Sequence, residues 1–276
     1  MEDKIEKFGQ SILQHGKLND RIYLQKSAPA DIPDLIVFMN QLAQQENYTK
    51  IFAKIRVESL PLFVNNGYCM EAFIPQFFNG YADGVMVSKF LSETRRKPPV
   101  EQLHAFYKLL ENAKVSQRKK LLPDFTLIKL KEDDSQVVAE LFKKVFTTYP
   151  FPVHDSQYIL QTMQSHAAKY FGVLEGNQLV GVSTAEIDVE NRNVEMTDFA
   201  VLPKCRGKKL AWHLLDFMEQ EMRKAGIINA YTIARLAEPG MNKTFMNAGY
   251  KFSGTLVNNT QIAGSIESMN IFYKPL

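Results

Sequence analysis

The run from Asn193 to Gly226 constrains this chain more than any other. Val194 to Leu202 reads as a strand, and Pro203 stops it. A basic turn follows, Lys204-Cys205-Arg206-Gly207-Lys208-Lys209. A helix then runs to Gly226 with Leu210, Leu214, Phe217, Met218 and Met222 along one face. A strand that enters a helix through a basic, glycine-containing turn builds an anion site. The free N–H groups of the first helical turn and the positive end of the dipole point at whatever lies over the turn. An ordinary strand–loop–helix with a solvated basic loop is the competing reading.

Arg206-Gly207-Lys208-Lys209-Leu210-Ala211 after Val201-Leu202-Pro203 resembles the acetyl-CoA motif of the GNAT N-acetyltransferases, Arg/Gln-x-x-Gly-x-Gly/Ala. Arg206 and Ala211 match its ends, and Lys209 replaces its middle Gly. The resemblance implies an α/β (α+β) chain. Its C-terminal part would be a GNAT fold with a mixed, mostly antiparallel sheet flanked by helices.

Composition bounds the alternatives. The 276 residues suffice for two modest domains, and 45% hydrophobic with 23% charged residues is ordinary for a soluble protein. A net charge of +3 argues against a nucleic-acid partner. Two basic clusters, Arg95-Arg96-Lys97 and Arg118-Lys119-Lys120, read as solvated linker. Cys69 and Cys205 make no disulfide framework, which fits a reducing cytoplasm, and Cys205 reads as filler in its turn. No apolar run approaches the roughly 18 residues of a membrane span, and no signal peptide is expected.

Along the chain, residues 1–20 admit a hairpin. Ile22-Tyr23-Leu24 reads as a strand, Asp31 as an N-cap, and Leu35, Phe38, Met39 and Leu42 as one helix face. A strand at Lys50–Ile55, a short helix closed by Gly67 and two strands joined at Asn79-Gly80 complete this part. A helix from Glu101 to Lys114 leads to a boundary near residue 120, dividing the chain into 1–120 and 121–276. The second part begins with a strand and two helices. A three-stranded antiparallel meander then enters the basic turn. Phe63-Val64-Asn65-Asn66-Gly67-Tyr68 mirrors Phe245-Met246-Asn247-Ala248-Gly249-Tyr250, so residues 20–92 read as a partial copy of the GNAT second half. The copy lacks the basic turn and is expected to bind no acetyl-CoA, acting as scaffold or lid.

The resemblance implies roles for single residues. The backbone from Arg206 to Ala211, including Gly207, Lys208, Lys209 and Leu210, would cradle the pyrophosphate. Phe199, Ala200 and Val201 would pair with the pantetheine arm, with an N–H near Ala200 or Val201 for the oxyanion. Asn242 and Phe245 would complete the cofactor site. Family members often carry, at the position of Phe245, a Tyr that protonates the thiolate, so that acid is missing here. His213 lies inside the helix and reads as structural. An ammonium group with a pKa of about 10.4 needs a base. Glu195 and Asp198 are the candidates. Strand alternation puts them on opposite faces unless a bulge intervenes. No metal is expected.

The wider sequence resembles the beta-lysine N-acetyltransferases. The residues that carry this are Glu195-Met196-Thr197-Asp198-Phe199, Tyr231-Thr232-Ile233-Ala234-Arg235, Gly240-Met241-Asn242, Leu256 to Thr260, Glu267-Ser268-Met269-Asn270 and Tyr48 to Lys54. That implies acetylation of the N6 amine of beta-lysine to give a compatible solute, with a lysine 2,3-aminomutase supplying the substrate. Arg235 is then expected at the carboxylate and Glu267 at the beta-ammonium, with Asn258 and Asn259 as further polar groups. Tyr149 and Phe151 would line the aliphatic stem. The alternatives are another small amine or a protein lysine as acceptor, or a non-catalytic acetyl-CoA-binding module. The sequence leaves oligomeric state open.

Overall fold

The computed structural model describes residues 3–116 and 120–276, so Arg118 and Lys119 of the second basic cluster lie outside the described residues. The chain opens with a hairpin, β1 (Lys4–Phe8) and β2 (Ser11–Gly16), followed by β3 (Arg21–Lys26), α1 (Asp34–Gln45), β4 (Lys50–Arg56), α2 (Leu60–Asn65), β5 (Cys69–Phe78) and β6 (Ala82–Phe90). After α3 (Glu93–Arg96) and α4 (Val100–Glu111) come β7 (Phe125–Lys129), α5 (Ser135–Val145), α6 (Ser156–Gln164), β8 (Ala168–Glu175), β9 (Gln178–Asp188) and β10 (Asn193–Val201). The last elements are α7 (Leu210–Lys224), β11 (Asn229–Arg235), α8 (Pro239–Asn247), β12 (Lys251–Ile262) and β13 (Ser265–Pro275).

The strands form two mixed sheets, ordered β1-β2-β3-β4-β6-β5 and β12-β13-β11-β10-β9-β8-β7. Substituting β8 to β13 for β1 to β6 converts the first order into the second, apart from the extra β7. In each, a helix connects the central parallel pair: α1 between β3 and β4, α7 between β10 and β11. The copy expected over residues 20–92 therefore begins earlier, at β1. Its Gly-Tyr echo was too short a signal to reveal the first hairpin.

The two copies differ where a cofactor would enter. β3 and β4 stay paired from Arg21↔Lys50 through Leu24↔Ala53. Asp31 does not cap α1, which starts at Asp34 after Pro33. Its carboxylate instead accepts from the Gln10 and Ser11 backbone N–H groups, at 2.9 and 2.8 Å, and from the Ser11 hydroxyl at 2.6 Å. Those hydrogen bonds hold its pKa below the ordinary carboxylate value. Asp34 adds a second acid in the first turn of α1. A helix start so furnished repels anions.

Contacts cluster into two discontinuous units. One comprises Met1–Phe106, Arg235–Ala237 and Ser253–Ile271; the other comprises Tyr107–Ala234, Glu238–Phe252 and Phe272–Leu276. The first has its own core, with Ile22, Leu24, Leu35, Met39, Ile51, Phe63 and Val85 at or near zero exposure. In the second, Leu210, Leu214, Met218 and Met222 of α7 are all buried, as the helical spacing requires.

Within the first unit three cations hold three consecutive carbonyls of β12. Lys50 Nζ donates to Val257 O at 2.7 Å, Arg95 Nε to Asn258 O at 2.6 Å, and Arg21 Nη1 to Asn259 O at 2.5 Å. Glu71 pairs with Lys50 at 3.0 Å and accepts the Val257 N–H at 2.7 Å. Burial lowers Lys50 to about 8 and both arginines to about 10. Arg95 is thus not solvated linker. Strand carbonyls turned away from a sheet partner need donors, and its fork supplies them. Gly254 packs so closely on β5 that an added Cβ would overlap the Glu71 carbonyl.

Candidate active site

The second unit opens a gap in its own sheet. β10 and β11 are nine and seven residues long but pair only at Asn193↔Asn229, Val194↔Ala230 and Glu195↔Tyr231. Beyond Glu195 the parallel ladder stops, so one edge of β10 from Thr197 to Val201 faces a wedge. On its other side β10 stays paired with β9 as far as Val201↔Gly181. An extended ligand can occupy such a wedge as an added strand.

The basic turn lies at the end of this strand. Gly207 has φ +80° and Lys209 φ +61°, so the chain enters α7 through two left-handed residues. Lys209 stands at the N-cap of α7, and its side chain makes no capping hydrogen bond to the first-turn N–H groups. Among the described residues, Gly207 has no neighbour within 4 Å of where a Cβ would sit, so its glycine serves conformation rather than close packing. The turn's charge is partly neutralised. Lys208 Nζ pairs with Glu175 at 3.2 Å, and Lys204 Nζ donates to Gln178 at 2.9 Å. Cys205 is buried beneath the turn, which fits its expected filler role.

Lys209→Gly should stabilise the fold by about 0.5–1 kcal/mol, because glycine adopts the left-handed region without a Cβ clash. Thermal unfolding measures that gain. Acetyl-CoA affinity, measured in parallel, should fall modestly with the lost charge.

A bulge decides how the carboxylates are arranged. The β9–β10 register shifts between Thr197 and Ala200, and Asp198 within it has φ +53°. Sheet partners point to the same side, so the pairs Glu195↔Glu186 and Thr197↔Thr184 place all four side chains on one face. Asp198 reaches that cluster: Thr197 Oγ1 lies 3.3 Å from Asp198 Oδ1, and the Tyr149 hydroxyl donates to the same oxygen. The bulge therefore overrides strand alternation. Glu195 and Asp198 belong to one constellation, Glu195 half-buried at the mouth of the wedge and Asp198 buried. Burial raises the Asp198 pKa against the hydrogen bonds from Tyr149, Thr184 and Thr197. Burial and the Asp198 charge push Tyr149 well above the ordinary tyrosine value.

The profile of the Acetyltransferase (GNAT) family matches residues 136–246, the span from α5 through α8. A beta-lysine N(6)-acetyltransferase from Methanococcus maripaludis is 37% identical over 273 residues, 99% of this chain and 98% of that protein. This chain belongs to the GNAT acetyltransferase family. N-acetyltransferase YodP from Bacillus subtilis is 32% identical over 96% of both chains. A beta-lysine N(6)-acetyltransferase from Methanosarcina mazei is 37% identical over 60% of this chain and 61% of its own.

As an acetyltransferase the chain carries its other expected cofactor residues near the wedge. Phe199 meets Phe245 edge-on at 5.5 Å, and Phe245 is buried against Tyr250 and Phe272. Position 245 therefore offers aromatic packing and no proton. Asn242 is fully buried, and its amide donates to Glu238 O at 2.8 Å within α8. His213 is buried on α7 beside Trp212. Among the described residues no group of acidic, His and Cys side chains suits a metal ion, and no helix is long and apolar enough to cross a membrane.

The expected substrate residues of the first unit have partners already. Arg235 and Glu267 form a bidentate pair, Nε–Oε2 2.8 Å and Nη2–Oε1 2.6 Å, instead of standing as separate receptors. Two unlike charges on adjoining strands neutralise each other at short range. The Asn258 amide donates to the Arg95 and Lys97 carbonyls, and Asn259 is buried with its carbonyl held by Arg21. Both asparagines thus tie β12 to the rest of the first unit. In the second unit Phe151 is half-buried on the α5–α6 connection that carries Tyr149. Sequence reasoning missed Glu186 and Thr184. Counting the antiparallel register back from the Asn191-Arg192-Asn193 turn would have set Glu186 opposite Glu195.

Proposed function

We propose that this acetyltransferase moves the acetyl group of acetyl-CoA to the N6 amine of beta-lysine, giving N6-acetyl-beta-lysine. The observation that carries the substrate is the 37% identity to the Methanococcus maripaludis protein over 99% of this chain. A carboxylate-bearing sheet face beside an unpaired strand edge supports it, because the acceptor is cationic. Acetyl-CoA lies along Phe199 to Val201 in the wedge, with its pyrophosphate over the N–H groups from Arg206 to Ala211. Glu195 takes the proton from N6. The nitrogen lone pair forms the C–N bond, the collapsing oxyanion breaks the C–S bond, and the second nitrogen proton passes to the departing thiolate, leaving a neutral amide and CoA thiol. A backbone N–H near Ala200 or Val201 stabilises the oxyanion. The thiolate leaves without a proton from position 245.

Asp198 attracts the reacting ammonium from beneath the bulge. Tyr149 and Phe151 border the stem. Catalysis belongs to residues 121–276, while residues 1–120 bind no cofactor. The product has lost a positive charge and is a net-neutral zwitterion, which suits a cytoplasmic compatible solute. A lysine 2,3-aminomutase supplies the beta-amino acid.

Asp198→Asn tests the buried carboxylate. It should raise KM for beta-lysine at least tenfold and leave kcat within a few-fold. Because the folded-state pKa is raised, the wild-type fold loses stability as pH rises from the unfolded value through the folded one. The Asn variant lacks that loss, so its Tm at pH 7 should equal or exceed that of the wild type. A drop in Tm would show that the ionised carboxylate stabilises the fold.

A further inference from the structure

We propose that Glu175 is a positioning residue for acetyl-CoA. From the end of β8 it clamps the basic turn, so that the N–H groups under the pyrophosphate are ordered before the cofactor binds. This rests on the reading above that the pyrophosphate lies over that turn. Three residues of the turn converge on this one carboxylate. Lys208 Nζ stands 3.2 Å from Glu175 Oε1, and the Cys205 thiol donates to Oε2 at 3.7 Å. Lys204 Nζ lies 3.9 Å from Oε2 and donates to Gln178 Oε1 at 2.9 Å. Positions 204, 205 and 208 straddle Gly207, where the chain turns left-handed.

Glu175 is itself fixed. It is paired with Phe125 of β7 and with Gln178 of β9. Lys208 Nζ also lies over the Phe125 ring, 4.8 Å from its centroid, so a carboxylate and an aromatic face hold this ammonium together. The Lys208 side chain therefore shapes the turn and leaves the turn's backbone to meet the anion.

The first unit has the same joint with the charges exchanged. Its β1–β2 turn carries Gly9 at φ +57°, as the β8–β9 turn carries Gly176 at φ +58°. There the acid belongs to the helix entry, where Asp31 accepts from Gln10 and Ser11 of the hairpin. In the second unit the acid belongs to the hairpin and the cations to the helix entry. Both units brace the entry against the hairpin, and the second does so with a positively charged turn.

Removing Glu175 has two opposed effects. Lys204 and Lys208 lose a neutralising partner, which favours a phosphate. The turn also loses the group that gathers three of its residues, so the cofactor must order it on binding. The Lys208 and Glu175 side chains are 36% and 32% exposed, so solvent screens the gain in charge. The ordering cost prevails.

The test measures dissociation constants by calorimetric titration for acetyl-CoA and for acetyl-pantetheine, which keeps the thioester arm and lacks the pyrophosphate. Wild type should bind acetyl-CoA at least about tenfold more tightly. Glu175→Gln should weaken acetyl-CoA about tenfold and leave acetyl-pantetheine within about twofold. Its kcat, with acetyl-CoA and beta-lysine saturating, should stay within about twofold of wild type. Lys208→Gln breaks the same contact from the other side and should reproduce the loss. The double variant should add less than about threefold to either single change, because both act through one contact. An unchanged or tighter acetyl-CoA constant in Glu175→Gln, an equal loss on acetyl-pantetheine, or fully additive losses in the double variant would overturn the assignment while leaving the cofactor over the turn. Equal wild-type affinity for the two donors would remove the pyrophosphate from the turn, and this assignment with it.

Discussion

Glu195→Gln is expected to lower kcat by about 10²–10⁴-fold with little change in KM for beta-lysine, the range for loss of a general base. The geometry explains the separation from Asp198→Asn. Glu195 is the last paired residue before β10 leaves β11, so its half-buried carboxylate stands at the mouth of the wedge. Asp198 is held by Tyr149 and Thr197 inside the bulge. A carboxylate base imposes an acid limb on the pH–rate profile. In the Gln variant that limb should vanish. The residual rate should then climb with the fraction of neutral amine toward the substrate's own pKa of about 10.4. Steady-state kinetics across pH 5–10 reads both effects. A collapse of kcat in Asp198→Asn with Glu195→Gln near wild type would exchange the two roles.

The second large effect concerns stability. Arg95→Ala should destabilise the protein by about 2–5 kcal/mol, since each buried carbonyl left without a donor costs about 1–3 kcal/mol. Arg95 donates to Asn258 O at 2.6 Å, Asn19 O at 2.9 Å and Thr49 Oγ1 at 3.1 Å, and no neighbour can replace a planar fork that reaches all three. In a chain of this size, each kcal/mol moves Tm by about 2–4 °C. Thermal unfolding should therefore show a loss of roughly 4–20 °C, with Arg95→Lys recovering only part of it. A shift under 2 °C would mean that water satisfies the β12 carbonyls and that the three cations are ornament to the fold.

These two sites show why one part of the structure was legible in the sequence and another was not. The α7 face, the basic turn and the meander follow from local rules: period, proline, glycine and short turns. Leu210, Leu214 and Met218 are buried as their spacing demands. Lys209, which stands where the resembled motif has a glycine, has φ +61°, a conformation that glycine adopts without a Cβ clash. Arg95 gave no local signal. Its partners lie 76 and 163 residues away, and a basic triplet beside Pro98-Pro99 has the composition of a linker. Asp31 misled in the same way. A lone Asp before a helix fits an N-cap, whereas the actual partners are Gln10 and Ser11 on another turn. The bulge at Asp198 was recognised only as a condition, since one extra residue in a strand has no composition of its own. Arg235 and Glu267 were the right chemical types for a zwitterion, but types do not show that two receptors face each other.

Thiol release from acetyl-CoA tests the central claim most directly, measured with beta-lysine, alpha-lysine and spermidine in parallel and with mass-spectrometric fragmentation of the product. Rapid turnover with beta-lysine, acetylated at N6, is the predicted result. Turnover confined to another amine, or binding of acetyl-CoA without turnover of any of the three, would contradict it.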